Sequence, residues 1–410
     1  MSETNKLKIL NDPIYGFITI PNTLIFDIIE HPYFQRLRRI SQMGLSNMVY
    51  PGAHHTRFHH AIGCMYLMQK AVRVLRSKKI TIDEAEEQAL YLAILLHDLG
   101  HGPFSHALEH FFIPEVTHED LSLHFMETLN ADFDGALTLA IQIFKNEHPR
   151  SFLYQLISSQ LDMDRLDYLK RDSFYTGVVE GSINSDRLIA MLNVVDDSLV
   201  IEQKGIYSIE KFLLSRRFMY WQVYLHKTGL LSEQLLLRVL SRARELQQQG
   251  ITIEANKNLV YFLTTDHIEK REKATFLEQF SKLDDYDVWA AIKEWQEHED
   301  AILASLCKMI IQRKLPRIEL SDTPFKPDYL NSIKDSTCAL NGIDADNLHY
   351  FMFDGKVSNR AYNTSYGPIN VLLKDGSVKE WLDVDSQFKS SALMKLQTKY
   401  FLCYPKTLQL

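Results

Sequence analysis

The sequence predicts a mainly α-helical chain, with a short β-hairpin near the N-terminus and a small α+β subdomain towards the C-terminus. Three observations carry this. Apolar residues recur at helical spacing from Leu24 to about Leu240. Residues 7–20 join two strand-forming runs through turn residues, and composition changes after Leu315, where two Asp-Gly pairs lie among β-branched and aromatic residues.

Each element has its own justification. The hairpin is read from Leu7-Lys-Ile-Leu10, the turn residues Asn11-Asp12-Pro13 and the run Gly16-Phe-Ile-Thr-Ile20. Helical patterns follow at Gly63–Leu75, Ser151–Arg171, Ile209–Gln248 and Asp287–Arg313. A further helix starts at Thr81-Ile-Asp-Glu84, which fits a capping box, and runs unbroken to His97. In the last part, Asp354-Gly355 follows Tyr350-Phe-Met-Phe, and Asp375-Gly376 follows Ile369-Asn-Val-Leu-Leu, so each pair predicts a hairpin turn. This divides the chain into an N-terminal hairpin segment at 1–23, a helical core at 24–248, and a C-terminal helical and α+β region at 249–410.

Composition sets limits on function. An apolar fraction of 46% over 410 residues is that of a globular protein with large cores. The longest apolar run, Ala89–Leu96, is far too short to span a membrane, and the first residues form no apolar signal segment. A cytoplasmic protein without membrane partners is expected. Cys64, Cys307, Cys338 and Cys403 are scattered, which argues for buried thiols over zinc knuckles or disulfides. A net charge of -7 argues against general nucleic-acid binding while leaving room for a local cationic pocket.

Of the sixteen histidines, nine lie between His54 and His118. His97 and Asp98 end the apolar run, and a core accepts such a pair only where something compensates their desolvation. With His60 and a carboxylate from Asp162-Met-Asp164-Arg165-Leu-Asp167-Tyr168, they make two imidazoles and two carboxylates, a donor set for a divalent cation. Asp164, Tyr168 and Asp172 recur every four residues and would form one helical stripe. Arg57, three residues before His60, would set a fixed cation beside the metal, as phosphate chemistry requires. His101, His106, Glu109 and His118 are candidates for proton transfer. Plainer readings stand beside these: a solvated helix face for the stripe, loop positions for His54 and His55, and supporting hydrogen bonds for His106 and His118.

The strings Asn11-Asp-Pro-Ile-Tyr-Gly16, Phe34-Gln-Arg-Leu-Arg38, Pro51-Gly-Ala-His-His-Thr-Arg-Phe-His-His60, His97-Asp-Leu-Gly-His-Gly-Pro-Phe-Ser-His106 and Asp162-Met-Asp-Arg-Leu-Asp-Tyr168 resemble one family. It is the HD-domain phosphohydrolases, in the branch of the sterile-alpha-motif and HD-domain deoxynucleoside triphosphate (dNTP) triphosphohydrolase and its bacterial relatives. The resemblance covers residues 7–240. It implies a helical HD core and metal-assisted in-line attack of water on the α-phosphate, releasing deoxynucleoside and inorganic triphosphate.

By resemblance, His60, His97, Asp98 and Asp164 match metal ligands, and His101, His106, Glu109 and His118 match catalytic residues, Glu109 replacing an aspartate. Arg57, Arg165, Tyr168, Asp172, Gln42, Arg216 and Tyr224 match substrate contacts, with Arg165 replacing a lysine and Tyr220 a histidine. Lys8, Asn11, Gln35, Arg38, Arg187, His226 and Lys227 match parts of a nucleotide activator site, where Glu30 replaces an aspartate that reads guanine. A GTP or dNTP activator and a homo-oligomer, dimer or tetramer, are therefore expected. Only about six residues precede the hairpin, so no sterile-alpha-motif domain is expected ahead of the core. The metal stays open between iron, manganese, magnesium, nickel and zinc. Two other functions remain: an HD phosphohydrolase for another nucleotide or phosphate ester, and a nucleotide sensor without turnover.

Overall fold

The computed structural model describes residues 8–113, 116–264, 273–341, 344–360, 362, 367–384 and 396–406; Leu7 of the expected hairpin lies outside them. The hairpin forms from β1 (Ile9–Asp12) and β2 (Gly16–Thr19), antiparallel with Asp12 opposite Gly16. The turn is closed by Asp12, whose Oδ1 accepts from the backbone N–H groups of Ile14 and Tyr15 at 2.8 and 2.9 Å.

The Arg57–Ser77 helix lies at the centre of the helical body, packed between the Glu84–Leu96 and Met163–Thr176 helices. It buries residues on every side, as does the Ala89–Leu96 run, because both are surrounded by other elements. Gly63 lets two of these helices meet closely. A Cβ at Gly63 would lie 2.1 Å from Asp167 Oδ1 and 2.2 Å from an Arg171 guanidinium nitrogen.

Several expectations need correction. The capping box before His97 is formed by Asp83 and Glu86, two residues later than the Thr81-Glu84 pair, and the helix stops at Leu96 with His97 as its C-cap. The pattern over 151–171 splits into the Ser151–Gln155 and Met163–Thr176 helices, because Asp162 spends its carboxylate on the N–H groups of Ser159 and Arg165. Residues 209–248 divide into the Ile206–Met219 helix, a π-helical turn at Tyr220–Tyr224 and the Lys227–Gln248 helix. Residues 287–313 divide likewise, into Asp285–Trp295 and Ala301–Ile311, each capped by an aspartate.

The helical run from Leu24 to Leu240 is also interrupted by β3 (Leu192–Val195) and β4 (Ser198–Glu202). Beyond the helices, β5 (Arg317–Ser321) and β6 (Phe353–Asn359) flank β9 (Gln397–Tyr404), antiparallel on both sides. The turn expected at Asp354-Gly355 is therefore wrong. Both residues lie within β6, and Gly355 sits opposite Phe401, whose ring occupies the space of a side chain. The Asp375-Gly376 turn does form, between β7 (Asn370–Leu372) and β8 (Val378–Glu380), with Gly376 at φ +87°. Through β7, which pairs parallel with β4, this C-terminal segment extends a sheet that begins in the helical body. Among the described residues no helix is long and apolar enough to cross a membrane. Cys64, Cys307 and Cys403 are buried free thiols, and Cys338 is partly buried.

Candidate metal centre and substrate cleft

Arg57 and His60 sit one turn apart at the start of the Arg57–Ser77 helix, against the end of the helix that delivers His97 and Asp98. The Asp162 cap starts the third helix two residues before Asp164, which is thereby turned onto the same point. His60 Nε2 lies 3.1 Å from Asp164 Oδ1 and 3.5 Å from Asp98 Oδ2, while His97 Nε2 lies 3.6 and 3.5 Å from the same two carboxylates.

The remaining nitrogens set the tautomers. His60 Nδ1 donates to Asp167 Oδ2 at 2.8 Å, and His97 Nδ1 donates to the Ile94 carbonyl at 2.6 Å. Both Nε2 lone pairs thus face the carboxylates, the arrangement outer hydrogen bonds impose on metal-binding histidines. His97 Nε2 is buried without a hydrogen-bond partner. Donors about 2.1 Å from one cation are separated by roughly 3.0–3.4 Å across octahedral or tetrahedral edges, so the observed spacing fits a divalent ion. Cys64 Sγ is also near, 3.5 Å from His60 Nδ1, but burial pushes its thiol pKa up and keeps it a neutral thiol. Among the described residues His60, Cys64, His97 and Asp164 bring ligand atoms within 4.8 Å of one another, and Asp98 lies 3.5 Å from each imidazole through its two oxygens.

Asp98 also holds Arg57, whose NH1 donates to Oδ2 while Nε donates to Ser105 Oγ at 2.9 Å. Burial would raise the Asp98 pKa, but Arg57 first, then His97 and His101, hold it well below the usual range. His101 Nε2 lies 3.4 Å from Asp98 Oδ1, and burial followed by Arg57 lowers its pKa, so this imidazole is neutral. Its ring stacks on His118 at 4.0 Å and meets His106 edge-on at 4.8 Å. Glu109 accepts from His118 Nδ1 at 2.6 Å and from His106 Nδ1 at 3.1 Å. Against burial, these bonds depress the Glu109 pKa, and Glu109 raises that of His118. His118 is therefore the imidazole biased towards the charged form. The turn carrying His106 is strained, with Phe104 and Ser105 at φ +54° and +52°, and Asp285 Oδ1 holds the Phe104 N–H at 2.8 Å.

A cleft of about 480 Å³ opens beside this cluster. Gln42, Arg57, Asp98, His101, His106, His118, Asp164, Arg165, Tyr168, Asp172, Arg216, Tyr220 and Tyr224 all line it. His60 and His97 are buried, and Glu109 reaches the cleft through His106 and His118. The π-helical turn carries Tyr220 and Tyr224 onto one wall, with ring centroids 5.2 Å apart. Asp172 accepts from the Tyr224 hydroxyl at 2.7 Å and bonds His55 Nε2 at 2.7 Å. His55 lies in a loop, as expected, but is buried there, supports Asp172 and stacks on Tyr175 at 4.4 Å. His54 is exposed.

Glu233 escaped the sequence reading, as did the support that Asp167, there only one of several candidate carboxylates, gives to His60. Glu233, on the Lys227–Gln248 helix, lines the cleft without a hydrogen-bond or ion-pair partner among the described residues, and burial pushes its pKa up to about 7. Its favourable, protonated state is retained below pH 4.5, the unfolded value, and lost as pH rises through about 7. Glu233→Gln should therefore stabilise the fold by about 1–2 kcal/mol above pH 7.5, the figure being reduced because the carboxyl faces the cleft. No gain is expected at pH 4.5. Thermal unfolding at both pH values checks this, and an equal effect at each would refute it.

None of the expected activator contacts lines this cleft. Lys8 lies over the Phe26 ring at 4.4 Å, Asn11 and Glu30 are exposed, and Gln35 accepts from Arg38 at 2.8 Å. Arg187 donates to Ser208 and the Lys204 carbonyl. His226 and Lys227 border a separate cavity with Trp221 and Lys399.

A helical body bringing a His-Asp pair against a further histidine and a distant aspartate, in a cluster that could hold a metal ion, has the form of an HD-type hydrolase. The chain belongs to the HD-domain phosphohydrolase family: residues 57–172 match the model of the HD domain and residues 183–259 that of the HD associated region. A crystal structure of a phosphohydrolase from Bacteroides thetaiotaomicron VPI-5482 is 48% identical, with a TM-score of 0.94 over 98% of this chain and 100% of that one. Protein YwfO of Bacillus subtilis (strain 168) is 31% identical, covering 98% of this chain and 93% of its own. The deoxynucleoside triphosphate triphosphohydrolase SAMHD1 homolog of Dictyostelium discoideum is also 31% identical, over 63% of this chain and 54% of its own. The chain thus spans about half the length of that relative.

Proposed function

We propose that the protein hydrolyses deoxynucleoside triphosphates to deoxynucleoside and inorganic triphosphate. The observation that carries this is one cleft in which Asp164, Arg165, Tyr168 and Asp172 of a single helix stand opposite Arg57 and the His101, His106 and His118 cluster. The name of the Dictyostelium relative supports the same reaction.

The roles follow from the side chains. His60, His97, Asp98 and Asp164 would hold the divalent ion, which when bound supplies Lewis-acid polarisation and water activation. Arg57 and Arg165 neutralise phosphate charge, Arg57 from a position fixed by Asp98 and Ser105. His118, kept basic by Glu109, carries the proton for the departing 5′-oxygen, while neutral His101 packs against it. Asp172, oriented by His55 and Tyr224, keeps lone pairs for a sugar hydroxyl, and Tyr168, Tyr220, Gln42 and Arg216 complete the walls. Lys8, Asn11, Glu30, Gln35, Arg38, Arg187, His226 and Lys227 are proposed to bind an activating nucleotide in an oligomer.

Incubation of the purified chain with each dNTP and Mn²⁺ or Mg²⁺, with and without GTP, tests the reading. The expected phosphorus product is inorganic triphosphate. Release of orthophosphate would assign another phosphohydrolase reaction, and saturable binding without product would make the protein a sensor.

A further inference from the structure

A continuous line of buried charge runs from the hairpin to the metal centre. Arg171 NH1 donates to Asp12 Oδ2 at 2.8 Å, and its Nε and NH2 donate to the two oxygens of Asp167 at 2.8 and 3.0 Å. Asp167 Oδ2 in turn accepts from His60 Nδ1 at 2.8 Å. None of the four side chains is more than 4% exposed. Asp12 is thus held twice, since its other oxygen closes the hairpin turn.

From this juxtaposition we infer that Asp12 is a positioning residue for His60, so that docking of the N-terminal hairpin sets the affinity of the metal centre. The inference rests on His60 being a metal ligand. Its sign follows from charge. With Asp12 in place, one guanidinium lies between two carboxylates, and Asp167 keeps enough negative charge to orient His60 and raise the basicity of Nε2. Without Asp12, the Arg171 cation is balanced by Asp167 alone. Asp167 then polarises His60 less, and the buried cluster behind His60 loses the net negative charge that favours a cation at the position of the ion. Displacement of the hairpin, by a bound molecule or a second chain, would act along the same route.

Asp12→Asn isolates the effect. The asparagine Oδ1 still accepts from Ile14 and Tyr15, while its amide removes the charge and places a donor against Arg171. Mn²⁺ affinity, measured by calorimetry or chelator competition, should weaken about 10-fold, the lower end of what outer-sphere partners of metal ligands contribute. Glu86→Gln, which breaks the Arg150 pair at 2.8 Å elsewhere in the fold, should leave Mn²⁺ affinity unchanged. Wild-type affinity in Asp12→Asn, or equal weakening in Glu86→Gln, overturns the proposal. Should Asp12→Asn fail to fold, Asp12→Ser likewise removes the charge while keeping an oxygen for the turn N–H groups; it should show the same weakening, and undiminished affinity would overturn the proposal. A wild-type chain that binds no divalent cation would instead remove the metal centre itself, and the inference with it.

Discussion

Replacement of His97 by alanine is expected to empty the metal centre and lower turnover at least about 10³-fold, some 4 kcal/mol of transition-state stabilisation, while the metal-free fold survives. The survival follows from the orphaned Nε2: apart from the Nδ1 bond to the Ile94 carbonyl, the ring forms no hydrogen bond that holds the fold together. Asp98→Ala should lose the same metal and turnover but also destabilise the protein by about 3–5 kcal/mol. Its carboxylate is the counter-charge of the buried Arg57 guanidinium, and removal of one partner leaves a buried charge uncompensated. Metal content per chain, turnover and unfolding of the metal-free proteins separate the two variants. Stoichiometric metal with activity within about tenfold of wild type, in either one, would refute the assigned centre.

This contrast could not be read from the sequence, although the donors themselves could. As proposed donors, His97, Asp98 and His60 were legible because an incongruous polar pair at the end of an apolar helix signals a site by chemistry, whereas Asp164 was singled out from its segment by the resemblance. The cleft contacts were legible through motif resemblance, which carries tertiary information that periodicity lacks. What supports them was not. Asp167 reaches His60 across 107 residues and His55 reaches Asp172 across 117, and neither pairing leaves a local trace. Glu233 reads as one more polar position on an amphipathic helix. Helical content was similarly visible, whereas two of the breaks were set by aspartates whose carboxylates could equally have faced solvent: Asp162 and Asp300 each interrupt a helical pattern by capping the next helix. Asp354-Gly355 misled for a comparable reason. Glycine marks a tight turn or a close approach, and there the approach is that of Phe401.

The same logic gives Gly63→Ala a large effect of unexpected sign. Within a helix, glycine to alanine normally stabilises by about 0.5–1 kcal/mol, since alanine loses less backbone entropy on folding. At Gly63 the added methyl would lie 2.1 Å from Asp167 Oδ1 and 2.2 Å from the Arg171 guanidinium, far inside contact distance. Neither neighbour can withdraw. Both side chains are fully buried, and movement of either breaks an ion pair with no water to replace it. The Arg57–Ser77 and Met163–Thr176 helices must separate, or the Asp167–Arg171 pair must part, and the cost of about 3–5 kcal/mol exceeds the propensity gain several-fold. Because the first helix carries His60 and the second Asp164, separation also spreads the donors beyond the reach of one ion. Gly63→Ala should therefore lower the urea midpoint of unfolding and weaken Mn²⁺ binding together. An unchanged or raised midpoint would show that the helices have room the structure denies them.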